Sequence, residues 1–103
     1  MNIKTLTIKT DFLPGCEHGW GNGYIGVPPE HPWFNEHYDN ISVNIHGGLT
    51  YSEDHPPLYK LDGYWWLGFD CNHSGDNQIN CNEEFVNAET EYLKIQALAA
   101  VNQ

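Results

Sequence analysis

The chain has no arginine, and four lysines stand against fourteen aspartates and glutamates, for a formal net charge of −10. Nucleic-acid binders need cations to displace phosphate counterions, so an interface with DNA or RNA is not expected. The same argument excludes an anionic membrane surface. A bound phosphate would have to rest on backbone N–H groups, a helix N-terminus, lysine or a metal. Long apolar runs are also missing, and none approaches the roughly eighteen residues of a spanning helix. The N-terminus from Met1 to Lys9 alternates and lacks the apolar stretch of a signal peptide, so the expected location is the cytoplasm. Cysteine is sparse and odd in number. Cys16, Cys71 and Cys81 do not form an even secreted framework, and each reads first as a small buried hydrophobe. There is no Walker A loop, and no G-x-G-x-x-G opens a helix.

What is present is bulk. Within 103 residues stand four Trp, six Tyr and four Phe, enough to give a short chain one adequate core and a single domain, 1–103. Ile3 to Ile8 reads as a first strand, broken at Pro14-Gly15. Gly19 to Gly26 reads as a tight loop entering a strand at Tyr24–Val27, and Pro28 to Asn40 as an ordered loop with one helical turn. Ile41, Val43 and Ile45 alternate with Ser42, Asn44 and His46, the pattern of a half-buried strand kinked at Gly47-Gly48 and continued by Leu49-Thr50-Tyr51. Tyr64 to Asp70 reads as a central strand covered on both faces. Asn82 is placed to cap a helix running from Glu83 to about Ala100. Its packed face is expected near Phe85, Ala88, Tyr92, Gln96 and Ala99, with Leu93, Ala97 and Ala100 beside them. The fold class is α+β, an antiparallel or mixed sheet of four to five strands with one C-terminal helix on a face.

Two segments carry the candidate chemistry, His46–Ser52 and Tyr64–Asp76. In the first, His46 ends a strand on its polar face, Gly47 and Gly48 offer bare N–H groups, and Thr50 and Tyr51 add hydroxyls. The plainer reading is a kinked strand end with a hydrogen-bonded histidine. In the second, Asp70, His73 and Asp76 follow the aromatic strand. With His46 they make a reasonable set for a divalent metal, whose bound water could attack a phosphodiester or amide. The plainer reading is an Asx-rich turn in which Asn72, Ser74 and Asp76 bond backbone groups. A rival zinc set pairs Cys16 and His18 with Cys71 and His73, at a one-residue spacing shorter than usual. His31, His37 and His55 read as exposed polar residues. Tyr64 and Trp66 share a strand face and could stack on a flat ligand.

The runs Gly23-Tyr24-Ile25-Gly26-Val27-Pro28-Pro29-Glu30-His31-Pro32, His46-Gly47-Gly48-Leu49-Thr50-Tyr51 and Trp65-Trp66-Leu67-Gly68-Phe69-Asp70-Cys71-Asn72-His73-Ser74-Gly75-Asp76 resemble a family of small uncharacterised proteins encoded by bacteriophages, prophages and bacteria. The resemblance spans most of the chain from Gly23 to the C-terminal helix. It implies a phage-like origin, a bacterial host cytoplasm and, by analogy with other phage accessory proteins, an anti-defence role. It supplies no catalytic roles. The expected function is binding of a small flat, nucleotide-like ligand by His46, Gly47, Gly48, Thr50, Tyr51, Tyr64, Trp66, Asp70, His73 and Asp76. The alternatives are a metal-dependent hydrolase using the same pocket and an acidic protein-binding inhibitor that mimics nucleic acid. The partner is then a small molecule or a host defence protein, and homo-oligomerisation stays open.

Overall fold

The structure, a computed structural model, describes residues 1–10 and 17–102. The break expected at Pro14-Gly15, and Cys16 of the rival zinc set, lie outside the described residues. Four strands form one antiparallel sheet: β1 (Lys4–Lys9), β2 (Gly21–Val27), β3 (Tyr51–Glu53) and β4 (Trp65–Phe69), in the order β1-β2-β4-β3. Among the described residues one α-helix, α1 (Glu83–Ala100), packs against β1 and β2, and a single 3-10 turn, Tyr38–Asn40, supplies the helical turn expected before Ile41. Asn82 caps it as its sequence position predicts, its side-chain oxygen accepting from the Phe85 N–H at 2.9 Å. No helix among the described residues is long and apolar enough to cross a membrane.

Strand parity and register divide the side chains. Ile25 lies opposite Leu67, and Gly23 opposite Phe69. These residues and Val27 face the helix, which returns Val86, Thr90, Leu93 and Ala97. The approach is closest at Gly23, where a Cβ would meet the Thr90 hydroxyl and the Phe69 ring. Thr90 is tolerated in that apolar layer because its hydroxyl donates to the Val86 carbonyl one turn back, at 2.7 Å. On the opposite face the Trp66 ring covers Gly26 and the Tyr24 ring covers Gly68. Tyr51 meets Tyr24 edge-on at 5.3 Å. β4, between β2 and β3, is thus buried on both faces, as its continuous aromatic run predicts.

Three expectations need correction. The segment from Ile41 to Ile45 is not a strand. Ile41 and Ile45 are buried as the alternation implies, but the backbone between them bonds to helix side chains. The Asn44 N–H donates to Gln96, whose amide donates back to the Asn44 carbonyl, both at 2.8 Å. Period-two burial therefore arises from an extended segment laid along α1, and pairing begins only at Tyr51. The helix also packs on a different face. Ala88, Tyr92 and Ala99 are exposed, and the buried stripe runs through Val86 and Thr90. Apolar residues occur on both sides of α1, so spacing alone does not choose between them, and a threonine does not announce itself as core. Lastly, His31 is buried: its Nε2 lies 2.7 Å from the Ala97 carbonyl oxygen while its Nδ1 accepts from the Trp33 N–H. Neutral imidazole satisfies one of the carbonyls a helix end leaves open, and burial pushes the His31 pKa down.

The two faces of α1 are separable by mutation. Leu93→Asp places an unpaired charge in a fully buried position and should cost several kcal/mol, comparable with a total stability of about 5–15 kcal/mol. Ile95→Asp, on the opposite exposed face, should stay within about 0.5 kcal/mol. Urea denaturation of both variants checks this, and equal losses would mean the helix is oriented otherwise.

Candidate metal centre

At the end of β4 the chain turns away through a loop, residues 70–82, that returns to start α1. Asp70 accepts from the Asn72 N–H at 3.1 Å, and Asp76 Oδ2 accepts from the His73 N–H at 2.9 Å. Asn77 Oδ1 accepts from the N–H groups of Ile79 and Asn80. The plainer reading of this segment holds for Asp76, while Asp70 and Asn77, rather than Asn72 and Ser74, supply the other side-chain bonds to the loop's own backbone. The loop leaves one feature outward-looking, because Asp76 Oδ1 is free to face other elements.

His46 is what Asp76 Oδ1 meets. The imidazole Nε2 lies 2.9 Å from it. His46 is held by α1, its N–H donating to Glu89 at 3.0 Å and its ring edge-on to Phe85 at 5.2 Å. Gly47 and Gly48 then reverse the chain with φ of +68° and +79°. Gly47 has a second reason to lack a side chain, because a Cβ there would fall onto the His73 ring. His73 Nδ1 lies 3.3 Å from Asp76 Oδ2 and 3.4 Å from Asp70 Oδ1. Thr50 donates to Asp70 at 3.0 Å.

His46, Gly47, Thr50, Asp70, His73 and Asp76 are therefore brought together. Tyr51, Tyr64 and Trp66 are not part of that group. Tyr51 lies on the open sheet face, where its hydroxyl donates to the His55 carbonyl. Tyr64 and Trp66 lie at the far end of β4: Tyr64 accepts from the Asn2 amide and lies under the Lys4 ammonium, and the Trp66 indole donates to Asp62. A cavity of about 340 Å³ between β1 and α1, lined by Thr5, Thr7, Asn87 and Glu91, contains none of the candidate residues.

The group a metal could use differs from the expected one. His46, Cys71, Asp76 and Cys81 each place a ligand atom within 4.8 Å of all the others, and this group could hold a metal ion. Asp70 and His73 stand beside it rather than in it. The two cysteines replace them because Cys71 follows β4 by two residues and Cys81 directly precedes the Asn82 cap, so packing α1 on the sheet brings them together. That placement near two element boundaries was the signal in the sequence, masked because an isolated cysteine is most often a small buried hydrophobe. A short segment fixes both: the Gly19 N–H donates to the Cys71 carbonyl and the Trp20 N–H to the Cys81 carbonyl, each at 2.7 Å. His18, of the rival set, is buried, with Nδ1 2.8 Å from the Gly19 carbonyl oxygen; Nε2 has no partner among the described residues.

The electrostatics of the metal-free group are those of a neutral thiol pair beside an ionised acid. Burial pushes both thiols up, and the nearby Asp76 carboxylate adds to this. Burial also pushes Asp76 up, but the His73 N–H, His46 and Cys81 outweigh it and hold the carboxyl below its ordinary value. Compared with known protein families, curated proteins and solved structures, the chain matches none. The centre is therefore read on its geometry.

A carboxyl whose folded pKa is depressed stabilises the fold above its unfolded pKa, and that contribution disappears as pH falls through the folded value. Metal-free protein should therefore lose stability on acidification from pH 5 to below Asp76's ordinary 3.8. Asp76→Asn, which keeps an acceptor for the His73 N–H, should flatten that slope. Denaturant midpoints across this range measure it, and parallel curves for the two proteins would refute the assignment.

Proposed function

We propose that this protein is a zinc-binding domain in which one ion is held by His46 Nε2, Cys71 Sγ, Asp76 Oδ1 and Cys81 Sγ. The carrying observation is the mutual closeness of those four groups, three of them buried. Zinc bonds of about 2.0–2.3 Å in a tetrahedron require ligand atoms about 3.3–3.8 Å apart. Cys81 Sγ lies 3.4 Å from Asp76 Oδ1 and 3.7 Å from His46 Nε2. The 2.9 Å edge between His46 and Asp76 is a hydrogen bond that would lengthen as the metal took Nε2 and the ring proton moved to Nδ1. Two sulfurs and an imidazole suit zinc and disfavour magnesium and calcium, which take oxygen.

Four protein ligands complete the coordination, which supports a structural ion rather than a hydrolytic one needing an open position for water. The ion would join three separate pieces of chain: the His46 turn, the end of β4 and the start of α1. Asp76 Oδ2 is already oriented by the His73 N–H, the outer support that metal-binding carboxylates use.

Elemental analysis of protein purified with zinc present should give one ion per chain, and chelation should lower the melting temperature. Cys71→Ser and Cys81→Ser should each weaken binding beyond the roughly 10–100-fold typical of an outer partner, whereas Asp70→Asn should stay within that range. Both thiols are protonated in the metal-free fold, so binding releases two protons and affinity should rise about a hundredfold per pH unit near neutrality. Calorimetry in buffers of different ionisation enthalpy counts the protons. A chain that takes up no zinc would end this reading.

A further inference from the structure

We propose that the Cys71–Cys81 pair is an oxidation site that closes to a disulfide and expels the metal, so that the domain holds zinc only under reducing conditions. This inference rests on the zinc reading above and goes beyond it by naming what releases the ion. Its basis is that the two thiols are held together by the backbone, independently of any metal. Gly19 and Trp20, adjacent in sequence, bond the carbonyls of Cys71 and Cys81 respectively. A Cβ built on Gly19 would lie 2.5 Å from Cys71 Cβ and 2.6 Å from Cys81 Cβ. The two Cβ atoms are therefore no more than about 5.1 Å apart, and a disulfide, which needs about 3.5–4.5 Å between them, can close with little backbone movement. The sulfurs themselves lie within 4.8 Å of each other. Both residues are free thiols in this structure.

The chemistry balances with hydrogen peroxide as the oxidant. One zinc-bound thiolate attacks the peroxide oxygen, the O–O bond breaks, and hydroxide leaves as the sulfur becomes a sulfenic acid. The second thiolate attacks that sulfur, the S–S bond forms, and a second hydroxide departs. Two electrons pass from sulfur to peroxide, and the zinc loses both anionic sulfur ligands. His46 and Asp76 alone do not retain it, because two ligands leave half the coordination to water. Thiol reductants reverse the step and restore the site. The neighbouring thiol also decides which product forms. A sulfenic acid with a resolving thiol in reach condenses before a second oxidation.

The test uses the zinc-loaded protein with Cys16→Ser, so that Cys71 and Cys81 are the remaining thiols, and the wild-type chain in parallel in case that variant folds poorly. Hydrogen peroxide is titrated in while a chromogenic chelator reports free zinc and mass spectrometry follows the protein. The expected result is one zinc released per peroxide consumed, loss of two hydrogen atoms relative to the metal-free thiol form, a Cys71–Cys81 cross-link in the peptide map, and recovery of zinc binding after dithiothreitol. Zinc retained through excess peroxide, or released with sulfinic or sulfonic acids and no cross-link, overturns the inference and leaves the zinc reading standing. A protein that never loads zinc overturns both.

Discussion

The grouping of His46, Cys71, Asp76 and Cys81 depends on where helix α1 sits on the sheet. Val86, Leu93 and Ala97 pack into the layer formed by Ile25, Val27, Leu67 and Phe69, and the absence of a side chain at Gly23 lets Thr90 come down against β2. That contact fixes the first turn of the helix relative to the end of β4. Cys81, one residue before the cap, then comes to face Cys71, two residues after the strand. The same helix supplies Glu89 and Phe85 to seat His46. The sheet's only contribution to the centre is thus the strand end at Cys71, while the helix determines the distances.

The acids have two kinds of work, which bulk charge conceals. Asp70 and Asp76 terminate hydrogen bonds inside one loop, and Asp62 receives the Trp66 indole and the Lys4 ammonium on the open face. These carboxylates are structural. The helix acids Glu83 and Glu84 stand in its first turn, where they complement the dipole. An excess of negative charge can accordingly persist in a small fold when its members are dispersed among local donors instead of being gathered on one surface.

Most of the fold was legible in the sequence because its signals are local. The aromatic run of β4, the Asn82 cap and the alternation of β1 each report their own surroundings. The convergence of His46, Asp70, His73 and Asp76 was legible too, as polar residues left at element ends. What the sequence concealed depended on partners far along the chain. Ile41 to Ile45 has a strand's alternation, but the Asn44 backbone bonds to Gln96, and the next N–H after Ile45, that of His46, to Glu89. His31 reads as a loop residue until Ala97 is seen above it. Cys81 carries no motif at all, and its role exists only once α1 has closed on the sheet. The separation of Tyr64 and Trp66 from the histidines follows from strand length: they occupy the other end of β4.

The sheet order leaves two strands with an unpaired side, β1 and β3. Open edges invite pairing with other chains, and short or lysine-bearing edge strands discourage it. β3 is only three residues long, and β1 begins at Lys4 and ends at Lys9. Half of the chain's four lysines therefore stand on one rim. In a protein so poor in cations, their placement guards against edge-to-edge extension of the sheet by another chain, a duty that solubility alone would not require of those two positions.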